Sequence, residues 1–202
     1  MSDQRSAEWI AARCGKVGCS RLADVLATTK SGEAATRRNY MADLICERLT
    51  GLPTETITTT AMQWGVDNEP LARQTYELAS FYNVVEDFGR EHPSIPGFRG
   101  SPDGLVGDDG GVEIKCPKTA THLDTILGGT IKRDYILQMA GYVSIYDRKW
   151  WDFVSYDPRM PPKYALFIKR FTRDELPVSE VEEGVKKFLA ELDDKMKRLE
   201  EL

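Results

Sequence analysis

Asp103 lies in Ser101-Pro102-Asp103-Gly104-Leu105-Val106, which places a carboxylate at a tight turn, and Val112-Glu113-Ile114-Lys115-Cys116-Pro117 follows as a strand. In an extended strand, residues i and i+2 share a face, so Glu113 and Lys115 point together and Ile114 faces the other way. Two carboxylates can hold a hard divalent cation such as Mg²⁺ through oxygen, and a lysine beside them can orient or deprotonate a water. Those are the parts of metal-assisted phosphodiester hydrolysis. The same residues also describe an ordinary charged hairpin. Pro-Asp-Gly is a turn signal, and Glu-Ile-Lys reads as a solvent-facing alternation. Taken alone, the fragment favours the hairpin, so the outcome depends on residues elsewhere in the chain.

Two other segments bear on it. Trp64-Gly65 precedes Glu69-Pro70-Leu71-Ala72-Arg73, which places Glu69 at a predicted helix entrance. There an acid either complements the helix dipole or supplies a third carboxylate. Gln138 and Tyr142 stand four apart on one predicted helix face, where such residues are neighbours. They form either the polar tips of a half-buried helix or a pair that orients phosphate or water.

The elements that must position these groups change period along the chain. The first part reads helical: Ser6 to Arg13, a helix capped at Gly18-Cys19-Ser20 and running to Ala27, and Thr36 to Leu49, ended by Gly51-Leu52-Pro53. Thr28 to Glu33 reads as a loop, and Pro70 to Tyr82 as a helix with proline in its first turn. Asn83 to Phe88, Arg99 to Ser101, Leu105-Val106 and Val112 to Cys116 read as strands. Helices near Thr121–Leu127 and Tyr135–Tyr146 follow, then strands at Trp150–Tyr156 and Tyr164–Phe171. A long amphipathic helix runs from Pro177 to Leu202 with Val181, Val185, Phe188, Leu189, Leu192, Met196 and Leu199 on its apolar stripe. This succession predicts an α/β or α+β arrangement with a mixed sheet, and the length of 202 residues suggests one domain over residues 1–202.

Bulk properties bound the function. Hydrophobic residues make up 41% and charged residues 29%, as in ordinary globular proteins. No apolar run reaches the roughly 18 residues expected of a membrane span, and the polar start shows no signal-peptide pattern. A cytoplasmic protein without membrane attachment is expected. Cys14, Cys19, Cys46 and Cys116 form no C-x-x-C pair, and His92 and His122 are far apart, which argues against a zinc finger and for four reduced thiols. The net charge of −5 argues weakly against a nucleic-acid binder. Phosphate attraction follows the local field, however, and the segment from Arg13 to Arg38 is rich in Arg and Lys.

The order of the motifs carries more than any one of them. Glu69, then Pro102-Asp103, then Glu113-x-Lys115, then Gln138-x-x-x-Tyr142 resembles the signature of the PD-(D/E)xK nuclease superfamily. Trp9, Arg13, Ser20, Cys116-Pro117, Leu127-Gly128-Gly129 and Tyr156-Asp157-Pro158-Arg159-Met160 extend the likeness. The chain is similar, from about Glu8 to its last helix, to the lambda-exonuclease-type (YqaJ-type) viral recombinases, the alkaline exonucleases. The resemblance implies a restriction-endonuclease-like core in which a mixed sheet is flanked by helices. It further implies a Mg²⁺-dependent, processive 5′→3′ exonuclease acting on double-stranded DNA ends. Such an enzyme releases mononucleotides and leaves 3′ overhangs for a strand-annealing or recombinase partner. The family forms a ring-shaped homotrimer in the cytoplasm of a bacterial or phage-infected cell, although this chain is acidic for a ring that encircles DNA.

The resemblance also implies roles. Asp103, Glu113 and the backbone carbonyl of Ile114 would hold Mg²⁺, with Mn²⁺ as a substitute, and Glu69 would serve a second ion directly or through water. Lys115 would position the nucleophilic water or lower its pKa, and Gln138 would bind the phosphate or that water. Tyr142 stands beside Gln138 in either a DNA-binding or a structural role. Arg13, Ser20 and Ser101 fall at the family's 5′-phosphate pocket. Met62 falls at its base-pair wedge, where the lambda enzyme has leucine, and Lys30 lies in a loop facing the duplex. The alternatives are another PD-(D/E)xK nuclease, either an endonuclease or a helicase-associated domain, and a DNA-end-binding module without catalysis.

Overall fold

The computed structural model describes residues 6–30, 32–54 and 58–202. Helix α1 (Ala7–Arg13) is capped by Ser6, whose hydroxyl accepts from the Trp9 N–H at 3.2 Å. Strand β1 (Val17–Gly18) leads through a 3₁₀ turn (Cys19–Arg21) into the short helix α2 (Leu22–Val25). Ser20 sits within that turn and caps nothing, contrary to the sequence reading, and α2 ends before Ala27. The segment read as a loop carries a small antiparallel pair, β2 (Thr28–Thr29) with β3 (Gly32–Glu33). Helix α3 (Ala35–Thr50) stops where Gly51 enters the left-handed region at φ 68° and donates its N–H to the Glu47 carbonyl.

Helix α4 (Thr60–Ser80) departs most from expectation. It begins a full ten positions before Pro70, with Thr59 as its cap accepting from the Met62 N–H at 3.2 Å. Pro70 therefore lies inside the helix, and Glu69 is mid-helix, so an acid favouring a helix N-terminus is not its role. A proline removes one backbone donor from the ladder. Just before it, the Asn68 amide donates to the Trp64 carbonyl at 2.8 Å, adding a side-chain bond in the weakened stretch.

The strands follow: β4 (Val84–Val85), β5 (Arg90–His92), β6 (Ile95–Gly100), β7 (Gly104–Val106) and β8 (Gly110–Lys115). Asn83 and Glu86 to Phe88, read as strand, lie outside β4, while β5 had no signal in the sequence. Helices α5 (Thr119–Gly128) and α6 (Arg133–Tyr146) cross over to β9 (Trp150–Tyr156). A short helix, α7 (Pro162–Ala165), takes the place of the predicted strand start, and β10 (Leu166–Thr172) follows it. A 3₁₀ turn at Arg173–Glu175 then leads to helix α8 (Val178–Glu200).

The larger sheet has the order β10-β9-β8-β7-β4. Only β8 and β9 pair in parallel, and the α5–α6 connection is the crossover such a pair requires. The smaller sheet, β1-β6-β5, joins β1 to β6 in parallel. Alternation along β8 and β9 divides the core. Val112, Ile114, Val154 and Tyr156 face α4, packing with Ala72 and Tyr76. Trp151 and Phe153 face α6, whose Leu137, Met139 and Tyr142 join α8 in the larger cluster. Both sheet faces are thus covered, and Glu113, which alternation places on the α6 face, is buried rather than solvent-facing.

Gly110 and Gly111 pair with Trp150 and Trp151 in the β8–β9 register. Each indole occupies the space over its glycine, and a Cβ on either residue would fall inside the ring. Trp151 is fully buried and cannot swing into solvent. We therefore expect Gly111→Ala to destabilise the fold by about 1–3 kcal/mol through overpacking, read as a lower urea midpoint with an unchanged slope.

Candidate active site

The catalytic candidates meet where the ends of β7 and β8 pass under α6. Asp103 stands one residue before β7, and its Oδ2 accepts the Ile114 N–H at 2.7 Å. This bond fastens the turn to the neighbouring strand and leaves Oδ1 of the same carboxylate outside that bond. Glu113 is wholly buried. Its cationic neighbour is Lys115, with which it forms a close ion pair. Apart from that pair, neither of its oxygens meets a hydrogen-bond donor among the described residues. Burial is the main force pushing the Glu113 carboxyl up, and Asp103 and, more weakly, Glu69 add to it against the opposing pull of Lys115.

Lys115 shows the complementary balance. Burial works against its charge, but Glu113 and Asp103 outweigh that and hold it as an ammonium. Its Nζ also sits 5.1 Å from the centre of the Tyr135 ring on α6. An ammonium in this position can orient a water and stabilise negative charge. Glu69 reaches the same region from α4 and is paired to Arg73 at 3.1 Å. Its field is felt at Glu113 and also at Cys116, whose thiol is pushed up to about 12 by burial, then by Glu69 and Asp103. The three carboxylates thus act on one another electrostatically, although among the described residues no three His, Cys, Asp or Glu side chains form a close cage. All four cysteines are free thiols, as expected.

A divalent cation fits this arrangement. A buried carboxylate whose oxygens receive no donor beyond one ammonium, with a second carboxylate pushing its pKa upward, is the environment that a hard cation relieves.

Gln138 and Tyr142 lie on the α6 face above β8, and both are buried. The Gln138 amide donates to the Tyr142 hydroxyl at 2.9 Å, and that hydroxyl donates to the Ser101 carbonyl at 3.0 Å. Tyr142 also stacks on Trp151 with ring centres 5.3 Å apart. Its hydroxyl is engaged by protein groups on both sides and its ring is packed, as in a strut.

A second group gathers beside β1. The Arg13 guanidinium stacks on Trp9 at 4.2 Å. A methyl placed on Gly18 would lie 3.6 Å from Arg13 Nη2 and 3.9 Å from Ser20 Oγ, so both reach one spot. Ser101 sits past the end of β6 with its hydroxyl on the Phe88 carbonyl at 3.3 Å, and Gly89, at φ 93°, gives it room. Gly18 pairs with Arg99 of β6, which brings Ser101 to the same edge. Met62 is exposed on the first turn of α4, and Lys30 is exposed between β2 and β3. Ser31, beside Lys30, lies outside the described residues. Neither Met62 nor Lys30 belongs to either group.

Sequence reasoning assigned no role to Asp157 or Arg159, although it quoted both. Asp157 is fully buried beyond the end of β9. It accepts from the Thr119 hydroxyl at 2.7 Å and from the Arg159 Nε at 2.7 Å. Arg159 also donates to the Pro117 carbonyl at 3.2 Å and stacks on Trp64 at 4.5 Å. This clamp joins α4, the segment after Lys115 and the start of α5. The available signal was an acid and a base two apart around a proline, directly after an apolar strand.

The YqaJ-like viral recombinase domain matches residues 8–149. An alkaline exonuclease from Laribacter hongkongensis is 47% identical over 97% of both chains, with a TM-score of 0.89. The structure of that exonuclease in complex with dAMP gives 48% identity over 97% of both chains and a TM-score of 0.90. A phage related exonuclease from Haemophilus somnus 129PT is 18% identical over 90% of this chain and 96% of that one, with a TM-score of 0.64, a likeness of fold. No curated protein sequence matches the chain. The mixed sheet between helices is the restriction-endonuclease-like architecture, and among the described residues no helix is long and apolar enough to cross a membrane.

Burial pushes the Asp157 carboxyl up, but hydrogen bonds from Arg159 and Thr119 outweigh it and hold it at about 2, below its ordinary 3.8. A depressed carboxyl stabilises the fold above the unfolded value, and that contribution is lost as pH falls from about 4 through 2. Asp157→Asn should cost about 2 kcal/mol at pH 7. Urea unfolding of the variant and wild type should converge near pH 2.

Proposed function

The chain belongs to the YqaJ-like viral recombinase family, and on that premise we propose that it is a Mg²⁺-dependent exonuclease that digests double-stranded DNA from the 5′ end. The observation that carries the reading is the pair of buried Glu113 with half-buried Lys115, in the field of Asp103 and Glu69, with Gln138 on the helix that covers this sheet face. A set of this composition suits holding cations against a phosphodiester.

Asp103, Glu113 and the Ile114 carbonyl would hold Mg²⁺, and Glu69 would serve a second ion. When bound, the ions would neutralise charge developing in an in-line displacement. The chain's own residues do the rest. Lys115, charged and held by Glu113, donates to the attacking water and fixes its approach to the phosphorus. Gln138, anchored on Tyr142, presents its remaining amide hydrogen and carbonyl to the phosphate or to that water. The Asp103–Ile114 bond keeps the turn from drifting, so its carboxylate stays in place when the duplex arrives. Water attacks the phosphorus and gives up a proton to solvent, the bond to the 3′ oxygen breaks, that oxygen takes a proton from solvent, and a 5′-mononucleotide with a 3′ hydroxyl leaves.

Direction comes from the second group. Arg13, Ser20 and Ser101 would receive the terminal 5′ phosphate through a guanidinium and two hydroxyls. Held there, the strand lies with its first diester over Asp103 and Glu113. Met62, exposed at the start of α4, would wedge against the terminal base pair, and Lys30 would touch the duplex further in. Repeated cleavage leaves a 3′ overhang for a strand-annealing or recombinase protein. A homotrimeric ring would keep the enzyme on the duplex and make digestion processive, and Mn²⁺ would substitute for Mg²⁺.

Linear DNA with a 5′ phosphate should release mononucleotides with Mg²⁺ and none with EDTA. A 5′-hydroxyl end should be digested more slowly, and closed circular DNA should survive. Cleavage of the circle would point instead to an endonuclease, and tight end binding without products to a binding module. Asp103→Ala and Lys115→Ala should each lower nucleotide release by about 100-fold or more while circular dichroism stays native. Full digestion by either variant overturns the assignment.

A further inference from the structure

Arg99 is a buried arginine outside the Asp103–Glu113–Lys115 group. Its residue is 8% exposed, on β6. Among the described residues it forms no ion pair. Nη2 donates to the Phe88 and Gly89 carbonyls at 3.3 and 2.8 Å, and Nε is buried without a partner. Uncompensated buried cations are costly, and proteins ordinarily pair them.

The neighbouring acids are committed elsewhere. Glu91, opposite Arg99 in the β5–β6 register, pairs with Lys16 and accepts from the Gly97 N–H at 3.3 Å. Asp87 accepts from the Tyr146 hydroxyl at 2.6 Å and the Gly89 N–H at 2.7 Å, and pairs with Arg90. Burial is the main force against the Arg99 charge; Tyr146, Glu91 and Asp87 support it through their fields, and Arg13, a second cation in the same region, works against it. The register explains the meeting: Arg99 lies beside Gly18, the residue over which Arg13 and Ser20 converge. Ser101 is two residues further along the chain, and its hydroxyl shares the Phe88 carbonyl with Arg99. Two guanidiniums and two hydroxyls gathered at one edge of the β1–β6 pair, with Glu91 and Asp87 engaged by other donors, describe a receptor for a doubly charged anion.

We propose that Arg99 is a second guanidinium of the end pocket, and that it makes the pocket selective for a terminal phosphomonoester over an internal diester. A monoester carries about −1.5 to −2 charges near neutral pH, whereas a diester carries one. A single arginine answers either; a pair held close to each other is relieved best by the dianion. The inference rests on the reading of Arg13, Ser20 and Ser101 as the 5′-phosphate site.

The test compares kcat/KM on one linear duplex bearing either a 5′ phosphate or a 5′ hydroxyl, for wild type, Arg99→Gln and Arg99→Lys, with Mg²⁺. The quantity read is the phosphate-to-hydroxyl ratio. Arg99→Gln should lower it by roughly tenfold or more, the scale of a lost charge-assisted hydrogen bond, and lysine should restore part of it. A structural arginine would lower both rates together, and an unchanged ratio in Arg99→Gln overturns the inference while leaving the exonuclease reading intact. If Arg99→Gln fails to fold, an unchanged ratio in Arg99→Lys overturns it equally. Wild type that digests both ends at the same rate removes the end pocket itself, and Arg99 with it.

Discussion

The structure turns on one buried charge pair. Glu113 is enclosed between β8 and α6, and its compensation is the ammonium of Lys115 two residues along the same strand. Burying an ion pair seldom stabilises a protein, because desolvation offsets the attraction. Such a pair survives only where the surrounding core is strong enough to hold it. Here that core is the β8–β9 parallel pair with apolar residues on its α4 face, and aromatic residues joining α6 on the other. The fold sustains a site that by itself favours coming apart.

The sequence made the strand, the turn and the long amphipathic helix legible because each has a period or a turn residue to announce it. Trp150–Tyr156 emerged with the bounds expected of it, since a run of aromatic and branched residues leaves little choice. The α4 start was not legible. Pro70 is a local signal for a helix beginning, and it was overridden by the Thr59 cap and by the burial of Ala72 and Tyr76 against the sheet. β5 has no alternation of its own and exists because β6 offers it an edge. The exposure of Glu113 was misread for a related reason: period two says which residues share a face but not whether that face is covered.

For the site, the order of the residue types was more informative than any spacing. Asp103, Glu113, Lys115 and Gln138 come from a turn, one strand and a later helix, and only the α5–α6 crossover brings Gln138 over β8. Arg99 and Arg159 had no comparable signal. The first is visible only once the β1–β6 register is known, and the second only once Pro117 and Trp64 are seen beside it.

Tyr142 links the two groups of residues. Its hydroxyl bridges Gln138 on the cleavage side and the Ser101 carbonyl on the end-binding side, and its ring is pinned against Trp151. The spacing between the Arg13–Ser20–Ser101 group and the Asp103–Glu113–Lys115 group is thus braced by a packed phenol as well as by the short turn from Ser101 to Asp103. On the proposed reading, the reach from a held strand end to the first diester would be a dimension of the packed interior.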